Sequence, residues 1–231
     1  MLELSSVRAG YGRVEVLHSV DLVVPDGAAV ALLGSNGAGK TTLLKVAAGL
    51  GRASAGTVRM GGRDVTREPA NRRSRRGLCL VPEGRGIFRQ LTVAENLAMY
   101  ASGRNVDQAI ERAVSAFPVL GERLKQVAGT LSGGQQQMVA VARALIVDAK
   151  FILADELSVG LAPVVVDEIF ATVQTLRDEG RSLLVVEQYV DRALAIADYV
   201  YILHKGRVAF VGEPQRCRDE DLFSRYVGSV A

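Results

Sequence analysis

Apolar and polar residues alternate over residues 2–8, and a second, largely apolar stretch runs through 14–24, with Gly10-Tyr11-Gly12 between them. Alternation broken by glycines predicts two antiparallel strands. Pro25-Asp26-Gly27 reads as a turn, and 28–33 is an apolar run of strand length ending in a glycine-rich loop. The period becomes helical over 40–48, with Gly49 as the stop. Residues 56–60 and 78–81 read as further short strands. Between about 88 and 147 the texture changes: apolar residues recur at helical spacing over 93–101, 106–117 and 135–147, with no strong strand candidate. Strand-like 151–154, 183–186 and 199–203 then alternate with helical 164–178 and 190–196, and the tail 213–231 reads as one or two short helices. Such alternation implies an α/β fold with a largely parallel sheet covered on both faces.

Composition narrows this modestly. Of 231 residues, 48% are hydrophobic and 23% charged, which fits a globular chain rather than a disordered one. The net charge, 28 minus 25 or +3, is too small to argue for nucleic acid. Only His18 and His204 are histidines, so a histidine-rich metal site is excluded. Cys79 and Cys217 offer no disulfide framework or metal-ligand spacing, which favours a reducing compartment. The first residues lack the basic and long apolar regions of a secretory signal, and no apolar run is long enough to span a membrane.

The strongest chemical signal is Gly34-Ser35-Asn36-Gly37-Ala38-Gly39-Lys40-Thr41, a complete phosphate-loop pattern between an apolar strand and a helix. Glycines let backbone N–H groups curl around phosphate oxygens. Lys40 can reach the β- and γ-phosphates, the Thr41 hydroxyl can ligate Mg²⁺, and Thr42 can support the phosphates. A metal-bound triphosphate needs an acidic site too, and the strand 151–154 runs into Asp155-Glu156. Asp155 would hold Mg²⁺ through water; Glu156 would orient and polarise the attacking water.

A third motif, Leu131-Ser132-Gly133-Gly134-Gln135, opens another helix and offers a second anion-binding helix end. The order of the three motifs resembles the ATPase subunits of ABC transporters, over essentially the whole chain. The resemblance implies a P-loop NTPase core with a mainly parallel sheet, an antiparallel β subdomain and an inserted α-helical subdomain. The domain expected is 1–231, its core and β part about 1–87 and 148–231, its helical part about 88–147. It also implies a head-to-tail dimer with a second ABC ATPase, itself or a homologue. Each ATP then lies between one subunit's phosphate loop and the other's Leu131–Gln135 segment. Tyr11 matches the aromatic that stacks on adenine, Glu83 the metal- and water-contacting position that usually carries Gln, and Gln188 the γ-phosphate switch that usually carries His.

Other departures are Leu157 for a usual Pro and Ala162 for a usual Asp in the loop 158–163 facing the other subunit. Gln188 can donate a hydrogen bond but cannot carry a charge. Glu83-Gly84-Arg85, the Ser158–Pro163 loop and Val186-Glu187-Gln188 together are similar to the second ATPase subunit of branched-chain amino acid importers, the LivF-like subgroup. The resemblance therefore implies an ATP- and Mg²⁺-dependent subunit at the cytoplasmic face of a bacterial or archaeal membrane. It would work with two permease subunits and, indirectly, a periplasmic or extracellular binding protein, without nucleic acid. Importers of urea and short amides use closely similar subunits. Non-transport relatives acting in DNA repair or on the ribosome are a further alternative. Repair members, however, carry a long coiled coil, absent from the roughly 90 residues between the phosphate loop and Leu131, and ribosomal ones usually carry two cassettes. Arg72, Arg73, Arg75 and Arg76 read as a solvated helix end or a contact for anionic lipid. His18 and His204 read as structural or surface residues, and Cys79 as core packing.

Overall fold

A computed structural model describes residues 1–101, 105–187 and 190–217. The first half runs β1 (Leu2–Tyr11), β2 (Val14–Val24), β3 (Ala29–Leu33), α1 (Lys40–Ala48), β4 (Ala55–Met60), β5 (Arg63–Asp64), α2 (Ala70–Arg75) and β6 (Leu78–Val81). Four helices follow, α3 (Val93–Ala101), α4 (Val106–Ala116), α5 (Pro118–Gly121) and α6 (Gly133–Val147), with a 3₁₀ turn at Ala128–Thr130 before α6. The rest is β7 (Phe151–Asp155), α7 (Pro163–Asp178), β8 (Ser182–Val186), α8 (Val190–Ile196), β9 (Tyr199–His204), β10 (Arg207–Gly212) and α9 (Pro214–Cys217).

Two sheets result. β2-β1-β4-β5 is antiparallel, with β1 and β2 paired from Leu2↔Val24 to Tyr11↔Val14 as their alternation predicts. The larger sheet has the order β10-β9-β3-β8-β7-β6 and is parallel except for the β9–β10 hairpin. Every residue of β3, β7 and β8 is buried, which is why these strands read as unbroken apolar runs.

The period-two rule divides the core between the two faces of that sheet. Val30, Leu32, Phe151, Leu153, Leu184 and Val186 pack with α1 and the antiparallel sheet. Ala29, Cys79, Val81, Ile152, Ala154, Leu183 and Val185 pack instead with α3, α4, α6 and α7. Cys79 is core packing as expected, its thiol pushed up to about 12 by burial. The antiparallel β layer, the mainly parallel sheet and the helices between β6 and β7 match the fold expected from the three motifs. Among the described residues, no helix is long and apolar enough to cross a membrane.

Three elements lack a sequence signal: β5, α5 and β10 are short or only half-buried. α2 carries the helix end read at the arginine cluster but corrects the rest of that reading. Arg73 is neither solvated nor available to lipid; it is 1% exposed. Its guanidinium donates to the Val46 and Ala47 carbonyls at 2.7 and 2.8 Å. It also donates to the Thr66 and Glu68 carbonyls at 3.1 and 3.0 Å. It therefore caps the carbonyl end of α1, which Gly49 closes at φ 77°. Arg76 pairs instead with the Glu68 carboxylate at 2.7 Å. The tail beyond 217 lies outside the described residues.

Candidate nucleotide site

The loop between β3 and α1 leaves the C-terminal edge of the parallel sheet, where ligands gather in open α/β folds. Gly34, Gly37 and Gly39 hold φ of 153°, 78° and 107°. At Gly34 a Cβ would stand 2.3 Å from the Leu203 carbonyl oxygen, so both its angle and its neighbour demand glycine. Gly39 occupies the N-cap of α1, and no side chain caps that end. The first N–H groups of α1 are therefore left for an anion.

Lys40 is buried, and its Nζ donates to the Gly34 and Ser35 carbonyls at 2.8 and 3.1 Å. Burial lowers its pKa; Glu156, Asp155 and Glu83 oppose that shift. A cleft of about 450 Å³ is lined by Val16, Asn36, Gly37, Gly39, Lys40, Thr41, Thr42, Glu83 and Glu156. The fold thus brings residues from β2, the phosphate loop, the loop after β6 and the end of β7 to one place. A larger groove of about 670 Å³, lined by Arg112, Glu168 and Glu179 among others, lies between α4, α5 and α7 and holds none of the three motifs.

The two acids differ as their alternation implies. Asp155 ends β7 and is 3% exposed, and its Oδ1 has no hydrogen-bond partner among the described residues. Burial pushes its pKa up to about 6, with Glu156 and Glu83 adding to the rise and Thr41 and Lys40 opposing it. Glu156 is half-buried, lines the cleft, and turns the chain at φ 50° while its N–H donates to the Val186 carbonyl at 2.9 Å. A desolvated carboxylate oxygen without a partner, next to a threonine hydroxyl, fits Mg²⁺, which takes one or two carboxylates plus phosphate oxygens. Among the described residues, no group of three or more His, Cys, Asp or Glu forms a fuller metal cage.

Tyr11 is exposed at the end of β1, and the Thr42 hydroxyl approaches its phenol oxygen at 3.5 Å. Val16, on β2, was not singled out by any motif; a lone valine in a strand carries no signal. Leu131 and Ser132 precede α6, which begins at Gly133. Ser132 Oγ accepts from the Gln135 N–H at 3.3 Å and Gln135 Oε1 accepts from the Ser132 N–H at 3.2 Å, a reciprocal cap. None of Leu131–Gln135 lines the cleft. Ser158, fully buried, donates to Glu187. Ala162 sits at the N-cap of α7 without a capping side chain. Gln188 lies outside the described residues.

Comparison with known proteins adds three kinds of match. The family described as ABC transporter matches residues 17–159. The chain is 41% identical, over 90% of its length and 91% of the relative's, to the high-affinity branched-chain amino acid transport ATP-binding protein BraG of Pseudomonas aeruginosa. It is 38% identical, over 97% of both chains, to the probable branched-chain amino acid transport ATP-binding protein LivF of Archaeoglobus fulgidus. It is also 35% identical, over 99% of its length and 97% of the relative's, to the lipopolysaccharide export ATP-binding protein LptB of Acidithiobacillus ferridurans. A solved ATP-binding cassette of an ABC transporter in its ADP conformation superposes with TM-score 0.81 and 25% identity, covering 97% of this chain and 93% of the other.

Proposed function

This chain belongs to the ABC transporter family and is one of its nucleotide-binding ATPases; we propose that it powers an importer of branched-chain, hydrophobic amino acids. Its similarity to BraG and LivF supports this reading, together with the resemblance of Glu83-Gly84-Arg85, the Ser158–Pro163 loop and Val186-Glu187-Gln188 to that subgroup. In this reading it lies at the cytoplasmic face of the membrane. It pairs head to tail with a second ABC ATPase and drives two permease subunits fed by a binding protein.

The observation that carries the catalytic part is the placement of Glu156 in the same cleft as Lys40, Thr41 and Glu83, with Asp155 buried just before it at the end of β7. Residues 34–42 surround the phosphates, and Tyr11 supplies a face for adenine. Lys40 exchanges its two loop carbonyls for phosphate oxygens. Mg²⁺, when bound, would be held by Thr41, Glu83 and, through water, Asp155, and would neutralise charge on the β- and γ-phosphates. Glu156 orients the attacking water and draws off its proton. Gln188 donates a neutral hydrogen bond to the γ-phosphate. Ser132, Gly133 and Gly134, with Leu131 and Gln135 shaping the turn, contact the ATP of the partner subunit.

ATP binds both subunits at once, so it favours the closed dimer, and hydrolysis reopens it. Purification of the membrane complex and assay in vesicles tests both levels. Expected are a copurifying permease pair and ATP turnover raised by leucine or isoleucine with the binding protein present. A complex stimulated only by a lipid, as an LptB-like exporter would be, overturns the amino-acid assignment. A Glu156→Gln complex that keeps its turnover overturns the catalytic one.

A further inference from the structure

Three successive residues after β6 adopt left-handed backbone angles: Gly84 at φ 76°, Arg85 at 73° and Gly86 at 59°. Glycine takes this conformation at little cost; arginine does not. The Arg85 side chain supplies the compensation. Its Nη1 donates to Gln136 Oε1 at 2.7 Å. Its Nη2 lies 2.8 Å from where a Cβ on Gly133 would stand. The guanidinium therefore rests on the first turn of α6, against Gly133 and Gln136.

Gln136 is buried and passes the contact on. Its Nε2 donates to the Leu131 and Gly129 carbonyls at 2.9 and 3.3 Å, fixing the approach to Ser132. Arg143, also on α6, donates to the Leu80 carbonyl at 3.1 Å and to that of Gly86. The loop that sends Glu83 into the nucleotide cleft is thus tied to α6 at two points, Arg143 and Gln136, and at the second the Arg85 guanidinium also lies against Gly133 of the Leu131–Gln135 turn. Arg85 does not line the cleft.

We infer that Arg85 is a positioning residue: it sets the Ser132–Gly134 turn for the nucleotide held by the partner subunit, in step with the loop around Glu83. The inference rests on the two-subunit ATP site proposed above. Both ends of the contact use the planar fork of arginine, one nitrogen on Gln136 and another against Gly133, so lysine can make only part of it.

The test uses the chain with the ATPase partner it purifies with, itself or a homologue, in a Glu156→Gln background. Closure of the dimer by Mg·ATP is read by sedimentation, and ATP affinity is read on the separated chain. Arg85→Ala is expected to weaken ATP-driven closure about tenfold or more, with ATP affinity of the separated chain unchanged. Arg85→Lys restores part of the closure. Adding Arg85→Ala to Gln136→Ala costs less than the two single changes summed, because they share one hydrogen bond. Unchanged closure in Arg85→Ala, equal loss of ATP affinity on the separated chain, or additive effects of the pair overturns the inference. If Glu156→Gln with Arg85 intact does not close on ATP, the two-subunit site itself falls, and this inference with it.

Discussion

The chain carries two glycine-bearing helix starts, and they are built on different principles. The start of α1 follows a buried parallel strand, has three glycines at positive φ, and has no capping side chain. The start of α6 has helical glycines and is capped reciprocally by Ser132 and Gln135. An uncapped helix start beside a buried lysine is an anion site in its own subunit. A self-capped start has already used one of its free N–H groups, and it holds its shape without a ligand. On the proposed reading, the first region grips phosphate alone. The second offers an exposed serine and two glycines to something brought to it from outside its own cleft.

The largest effect expected from this contrast is that of Lys40→Ala, which should lower ATP turnover by about 10²–10³-fold and abolish nucleotide binding by the separated chain. Calorimetry on that chain checks the binding, and Ser132→Ala should leave it intact. Equal loss in both variants would erase the distinction between the two helix starts.

Next is Arg73→Met, which leaves the carbonyls at the end of α1 without their guanidinium. It should cost about 3 kcal/mol of unfolding free energy, read by urea denaturation, although Arg73 touches no nucleotide-site residue.

A smaller effect concerns Asp155. Its folded pKa of about 6 lies above its ordinary value of 3.8, so the folded chain binds the extra proton between those pH values. Stability of the nucleotide-free protein therefore falls as pH rises through that window and stays reduced above it. Asp155→Asn should raise stability at pH 7.5 by about 2 kcal/mol, with little change near pH 4. Thermal melts at the two pH values check this. The same variant should lose the stabilisation that Mg·ATP gives the parent chain.

The smallest changes concern helix caps. Ser132→Ala should cost about 1 kcal/mol, and Ala162→Asp should add a similar amount at the open N-cap of α7. Both are measurable by chemical denaturation.

The phosphate loop was legible because its chemistry is local: glycines, lysine and threonine act within eight consecutive residues on one turn. Asp155 and Glu156 were legible for the same reason, as acids ending an apolar strand. Arg73 was not. Its neighbours in sequence are solvent-facing arginines, and its partners Val46 and Ala47 lie 27 and 26 residues upstream. Arg85 stood in view between two glycines, yet its partner Gln136 is 51 residues away. Val16 entered the cleft only because β2 packs beside the loop. β10 was missed because its side chains are no more than half-buried.

By itself the sequence determined which residues could form helices and strands, where phosphate could be held, and which acids could serve it. Those properties follow from periodicity, glycine spacing and side-chain chemistry within a few residues. Only the tertiary structure decided that Asp155 would be desolvated and Glu156 left in the cleft. It alone decided that one arginine of four would cap α1 and that the loop carrying Glu83 would be tied to the start of α6. Burial and electrostatic environment belong to the space between elements, and no local pattern encodes which distant carbonyl or amide will fill it.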